Sequence, residues 1–198
     1  LLPERGAGMA SKHEGCVGHA SVSDLLASDI DAVALADSNR CHVECAVAAL
    51  EAGKHVLLEK PMAMNVAQCD EIIAAAERSG KILQLGFVCR GAPASLAVKD
   101  FIDAGRFGEI YHAKCSFYRR RGIPGLGGWF TTKSESGGGP LIDLGVHVLD
   151  LVMYLTGSHD PVRASGQVVS KFGAPIKDYV FTDMWSGPPK LEGIFDVE

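Results

Sequence analysis

Between residues 30 and 87, short apolar runs with β-branched centres alternate with stretches of helical spacing. Residues 31–36 predict a strand, and 41–52 a helix that Gly53 ends. Val56-Leu57-Leu58 is the apolar heart of a second strand. Asn65 is placed to cap a helix running through Asp70, Ile72, Ile73 and Ala76 to Gly80, and 81–87 predicts a third strand. Upstream, 23–27 predicts a short helix capped by Ser21 or Ser23. Strand and helix alternating through short connections imply right-handed crossovers, hence a doubly wound parallel α/β sheet with helices on its faces.

The pattern changes after Arg90. Residues 93–104 predict a helix stopped by Gly105, and 109–118 alternate as a long antiparallel strand buried on one face. Residues 119–139 are dominated by glycine and charge, with Trp129 and Phe130 embedded, which reads as a functional loop. Residues 141–156 form a strongly apolar helix closed by Gly157. A further strand is expected over 162–172, and 174–198 shows no clear element. The expected division is therefore 1–90, an α/β unit, and 91–198, an α+β unit with a mainly antiparallel sheet.

Composition narrows the function classes. The chain has 198 residues, 47% of them hydrophobic and 22% charged, which suits a globular core. A net charge of −5 offers no basic field for nucleic acid or an anionic membrane, so small-molecule partners are expected. The longest apolar runs, such as 146–155, are broken by His147 and Asp150 and fall short of the ~20 residues of a membrane span. The first residues lack the charged start and apolar stretch of a signal peptide. Six cysteines without a Cys-x-x-Cys pair suggest buried reduced thiols and a cytoplasmic location.

Candidate chemistry begins at the second strand, Ala52-Gly-Lys-His-Val-Leu-Leu-Glu-Lys-Pro61, which delivers Glu59 and Lys60 to its C-terminal end, where open α/β sheets bind ligands. Pro61 restricts the residue before it, so Lys60 is aimed with less freedom and could stabilise an oxyanion; a surface lysine beside a turn proline is the plain alternative. Asp143 and His147 lie four apart on one helix face, where a carboxylate can orient an imidazole suited to taking a hydroxyl proton. A simple helix-stabilising contact gives the same spacing. Asp37, Ser38, Asn39 and His42 follow the first strand and suit a ribose or phosphate, or merely cap a helix. Arg119, Arg120 and Arg121 could draw an anionic substrate or form a solvated face. Trp129 could cover a ring or pin its loop.

Four motifs occur together in order: Asp31-Ala-Val through Asn39 and His42; Ala52 to Pro61 as quoted; Gly105-x-x-Gly-Glu-Ile110; and Gly137-Gly-Gly-Pro-Leu-Ile-Asp-Leu-Gly-Val-His147-x-x-Asp150. In this the chain resembles the Gfo/Idh/MocA family of NAD(P)-dependent sugar and polyol oxidoreductases. The resemblance implies a partial Rossmann-type domain over 1–90 and a partial substrate and oligomerisation domain over 91–198. It implies Lys60, Asp143 and His147 as the catalytic group. Ser38, Asn39, His42, Glu59, Lys60 and Arg90 would contact NAD or NADP, and Arg121 and Trp129 would face a sugar or polyol. No metal is implied, and a homo-oligomer is expected of the full-length form. Within the same fold, a glycosidase that oxidises its substrate transiently through NAD, or a non-enzymatic sugar or dinucleotide sensor, are the alternatives. The chain departs from the family in reading Asp37-Ser38-Asn39 where Thr-Pro-Asn is usual. The Gly-x-Gly-x-x-Gly turn and the acidic residue that follows it are also absent, so these residues are expected to be the middle of a family member, with poor dinucleotide affinity by themselves.

Overall fold

The computed structural model describes residues 3–119, 125–170, 189–190 and 192–197. Two helices open the chain, α1 (Pro3–Ala10) and α2 (Val22–Leu26), the second capped by Ser21, whose hydroxyl accepts from the Asp24 amide at 3.0 Å. Nothing in the sequence reading anticipated α1. Three strands follow, β1 (Ala32–Leu35), β2 (His55–Leu58) and β3 (Leu83–Leu85), paired in parallel in that order. Helix α3 (His42–Glu51) crosses from β1 to β2, and α4 (Val66–Ser79) from β2 to β3. Asn65 caps α4 by accepting from the Gln68 amide at 3.0 Å, and Gly80 ends it at φ 63°, a left-handed conformation that costs glycine little.

Parallel strands taken in sequential order, with crossovers of one hand, place both crossover helices on the same face. There Val33, Val56 and Leu58 pack with Ala46, Leu50, Ile72 and Ala75 in one buried cluster. The opposite face is uncovered among the described residues: Ala34, Leu57 and Gln84 are exposed. The sheet is thus Rossmann-like, and the described helices cover one side of it. Ile72 has 0% exposure. Ile72→Ala is therefore expected to cost about 2–5 kcal/mol, through lost transfer energy and a residual cavity, read as a lower urea midpoint.

A short 3₁₀ turn, Val88–Gly91, leads from the sheet into α5 (Pro93–Asp103), which packs on the last long helix. The antiparallel strand expected over 109–118 is not formed. Those residues have no ladder partner among the described residues, and Tyr111 and Tyr118 are 93% and 92% exposed. An alternating segment becomes a strand only when neighbouring strands satisfy its backbone and cover its apolar side. Residues 162–170 likewise carry no strand, while the rest of that expected element lies outside the described residues. One isolated antiparallel bridge joins Gly127 to Ile194.

Within the expected loop, a 3₁₀ turn (Trp129–Thr131) and α6 (Lys133–Ser136) are formed. The helix expected over 141–156 begins as a π turn, Leu141–Gly145, and continues as α7 (Val146–Thr156), closed by Gly157 at φ 68°. By length and composition alone, Lys133–Thr156 could cross a membrane. The stretch is turned at Gly137, φ 84°, and its carboxylates are tied to cations of the first half, as described below. All six cysteines are free; Cys16 and Cys115 are exposed and the others half-buried, so the expectation of buried thiols is corrected. Burial, with Asp37 adjacent, pushes the Cys45 thiol up to about 11.

Candidate active site

The C-terminal ends of β1 and β2 open into a cleft of about 260 Å³, lined by Asn39, Glu59, Lys60, Trp129, Gly138 and Asp143 among others. The first three come from strand-end loops of the sheet and the last three from the second half of the chain. Lys60 joins the two. Its ammonium donates to Asp143 Oδ1 at 2.7 Å and to the Asp143 carbonyl at 2.8 Å, with the side chains 15% and 20% exposed. Lys60 thus meets the backbone of Asp143, within a π turn over Leu141–Gly145, as well as its side chain. This double contact aims the ammonium more narrowly than a carboxylate alone would.

His147 follows one turn later. Its Nδ1 is buried without a hydrogen-bond partner. Burial, and then the Lys60 cation, hold the imidazole below its ordinary 6.5, outweighing the upward pull of Asp143, Glu59 and Asp150. The ring is therefore neutral at pH 7, which is the state able to accept a proton.

The other predicted residues divide into two groups. Asn39 and Glu59 line the cleft. Glu59 accepts from the Lys60 amide at 3.2 Å and lies across Gly86, where an added Cβ would sit 3.1 Å from its Oε1. Any larger residue at 86 would displace that carboxylate. Asn39 is buried and donates to the Ser136 carbonyl at 2.6 Å, while Ser38 donates to Glu135 at 3.3 Å and Arg40 pairs with Glu135 at 2.8 Å. The β1 loop is thereby docked onto α6. Trp129 stacks on Phe130, with centroids 3.7 Å apart, at the cleft wall.

His42 and Arg90 stand away from the opening. His42 is fully buried, with Nδ1 2.8 Å from the Pro61 carbonyl and Nε2 3.8 Å from Asp37. Because a carbonyl can only accept, Nδ1 carries the proton, and the ring fastens α3 to the turn that follows Lys60. Arg90 is paired with Asp150 through Nε at 2.9 Å and through a second, short contact from Nη2. Arg121 lies outside the described residues. Among the described residues no group of three or more His, Cys, Asp or Glu side chains could hold a metal. The sequence reading missed Glu135, Ser136 and the partner role of Asp150. Asp150 had a visible signal, since 143, 147 and 150 share one helical face.

These features agree with what the chain is similar to. Residues 6–87 match the model of an oxidoreductase family with an NAD-binding Rossmann fold, and 95–184 match the GFO/IDH/MocA C-terminal domain. The D-glucoside 3-dehydrogenase of Escherichia coli is 43% identical over 145 residues, 71% of this chain and 41% of that protein. The 1,5-anhydro-D-fructose reductase of Ensifer adhaerens is 36% identical over 162 residues, 81% of this chain and 48% of its own length. A levoglucosan dehydrogenase solved in complex with NADH and levoglucosan superposes with a TM-score of 0.68 at 29% identity, covering 78% of this chain and 42% of that one. The chain thus spans less than half the length of these relatives. Both family models match in the order in which the strand-end lysine and the Asp143–His147 helix are found, and the chain belongs to the Gfo/Idh/MocA family of oxidoreductases.

Proposed function

We propose that the full-length protein transfers a hydride between NAD or NADP and a hydroxyl-bearing carbon of a sugar or polyol. One observation carries this reading: a neutral imidazole with a buried, unpartnered nitrogen lies one helical turn from Asp143, within electrostatic reach of the Lys60–Asp143 pair that lines the cleft. A proton carrier and an oxyanion-stabilising cation are what oxidation of a carbinol requires from the protein. The activities of the relatives, a glucoside dehydrogenase, an anhydrofructose reductase and a levoglucosan dehydrogenase, point to the same substrate class.

The cleft residues suit a dinucleotide. Asn39 and Glu59 offer polar groups at the strand ends, with the Ser38 hydroxyl beside them, and Trp129 offers an aromatic wall. We assign these and Lys60 to cofactor contact, with His42 supporting the Pro61 turn from beneath and Trp129 also facing the sugar. When bound, the nicotinamide supplies the hydride acceptor. The protein's own part is to take the hydroxyl proton on His147 and to hold the developing negative oxygen against the Lys60 ammonium. Asp143 keeps Lys60 in place and can accept from a neighbouring sugar hydroxyl. As the C–H bond leaves with its electron pair and the O–H bond gives up its proton, the carbinol becomes a carbonyl. We further place the domain division near residue 90 and the protein in the cytoplasm.

Steady-state reduction of NAD and NADP by a panel of neutral sugars and polyols tests the proposal. Turnover of at least one supports it; glycoside cleavage without net reduced cofactor would favour the glycosidase chemistry, and no turnover with no cofactor binding would refute it. The pH profile gives a second test. Because a protonated His147 cannot accept a proton, kcat/KM for oxidation should rise with pH through the imidazole's folded pKa and level off, with the acid limb below pH 6.5. The same lowering adds stability that is full above pH 6.5, where both states are neutral. It is lost as pH falls through the folded value, because the unfolded chain binds the proton first. An acid limb at or above pH 7 would count against His147.

A further inference from the structure

Arg90 sits in the turn after β3, at the same end of the sheet as Lys60. Its guanidinium holds Asp150 in a forked pair and lies over two rings, Phe87 at 5.5 Å and Tyr154 at 5.1 Å. Asp150 is 9% exposed and buried on α7. A buried carboxylate keeps its charge only when a cation and good hydrogen bonds compensate it, so this pair has one sharply defined geometry.

The spacing gives the pair its meaning. Asp143 and Asp150 are seven residues apart, about two turns, and are held by cations at the ends of β2 and β3 respectively. His147 lies between them on the same face. Two fixed points along a helix set both its rotation and its tilt, and the Arg90–Asp150 fork adds to Lys60–Asp143 a second polar anchor beyond the packing of α5 on α7. We propose that Arg90 and Asp150 are positioning residues that fix α7 so that His147 is held within reach of the Lys60–Asp143 pair, and that Arg90 acts through Asp150 rather than on the dinucleotide. This rests on the reading of His147 as the proton acceptor, but part of its test does not.

The test compares the full-length protein with Arg90→Ala, the double variant Arg90→Ala/Asp150→Ala, and the reversed pair Arg90→Asp/Asp150→Arg. Arg90→Ala should lower kcat about 10–100-fold, the scale of a small misplacement of a reacting group, with the dinucleotide Kd within about twofold. The reversed pair should recover much of that loss. Independently of turnover, the His147 ring can be followed by NMR titration. Lys60, Asp143, Glu59 and Asp150 are the charged groups that act on it. In the double alanine variant the upward pull of Asp150 is gone, so charge loss alone would move the ring further down; a rise toward 6.5 reports loosened burial, as the proposal expects. A Kd raised tenfold or more with kcat unchanged would return Arg90 to the cofactor and overturn the proposal, as would an unmoved or lowered His147 titration. If the alanine variants fail to fold, by far-UV circular dichroism, the reversed pair decides: wild-type kcat and titration support positioning, and a folded reversed variant without recovery contradicts it. If no substrate is turned over by the unaltered protein, the functional reading fails, while the titration still judges the clamp.

Discussion

His147→Ala is expected to reduce kcat for sugar or polyol oxidation by about 10²–10⁴-fold while leaving the dinucleotide Kd within about twofold. The range is the usual contribution of a positioned general base. The direction follows from the neutral imidazole, whose buried Nδ1 has no hydrogen-bond partner, so its removal subtracts proton transfer without breaking a hydrogen bond at that nitrogen. The residual rate should also lose the acid limb of the pH profile, because the group that titrates there has gone. Stopped-flow appearance of reduced nicotinamide under saturating cofactor separates the two effects, and a Kd change that accounts for the whole loss would remove His147 from the chemistry.

Lys60→Met should have two effects of different origin. Losing the cation that stabilises the developing oxyanion lowers kcat by about 10²–10³-fold. It also leaves the half-buried Asp143 carboxylate without its partner, costing up to about 3 kcal/mol of stability. Pairing the change with Asp143→Asn removes the stranded charge, so stability should largely return while the rate does not. The single variant should further shift the titration of His147 upward, since Lys60 is the cation that depresses it and Asp143 pulls the other way. Restoration of kcat in the double variant would show that Lys60 serves packing alone.

The first half was legible because its signals are local. The Asn65 cap, the Gly80 stop and the β-branched runs each act within a few residues, and β1, β2, β3, α3 and α4 formed where those signals placed them. Lys60 and Asp143 were both visible as chemistry, but their 2.7 Å contact spans 83 residues and belongs to tertiary packing. Arg90 illustrates the limit from the other side. A basic residue after a strand end suits an anionic ligand, and no local pattern distinguishes that use from a pair with a carboxylate 60 residues away. The π turn at 141–145 is another case, since a helical period read from sequence carries no mark of where its hydrogen bonds will slip by one. The strand expected at 109–118 had the right alternation, but alternation supplies one face, and pairing depends on residues elsewhere in the chain.

The most direct test of the account is isotope transfer. The full-length protein is incubated with NAD or NADP and carbon-deuterated glucose, glucoside and inositol in ordinary water, and the reduced cofactor is weighed by mass spectrometry. Direct hydride transfer predicts one deuterium per reduced nicotinamide, produced in step with the carbonyl product and suppressed in His147→Ala. Reduced cofactor without deuterium, or substrate consumed with no reduced cofactor at all, would contradict it.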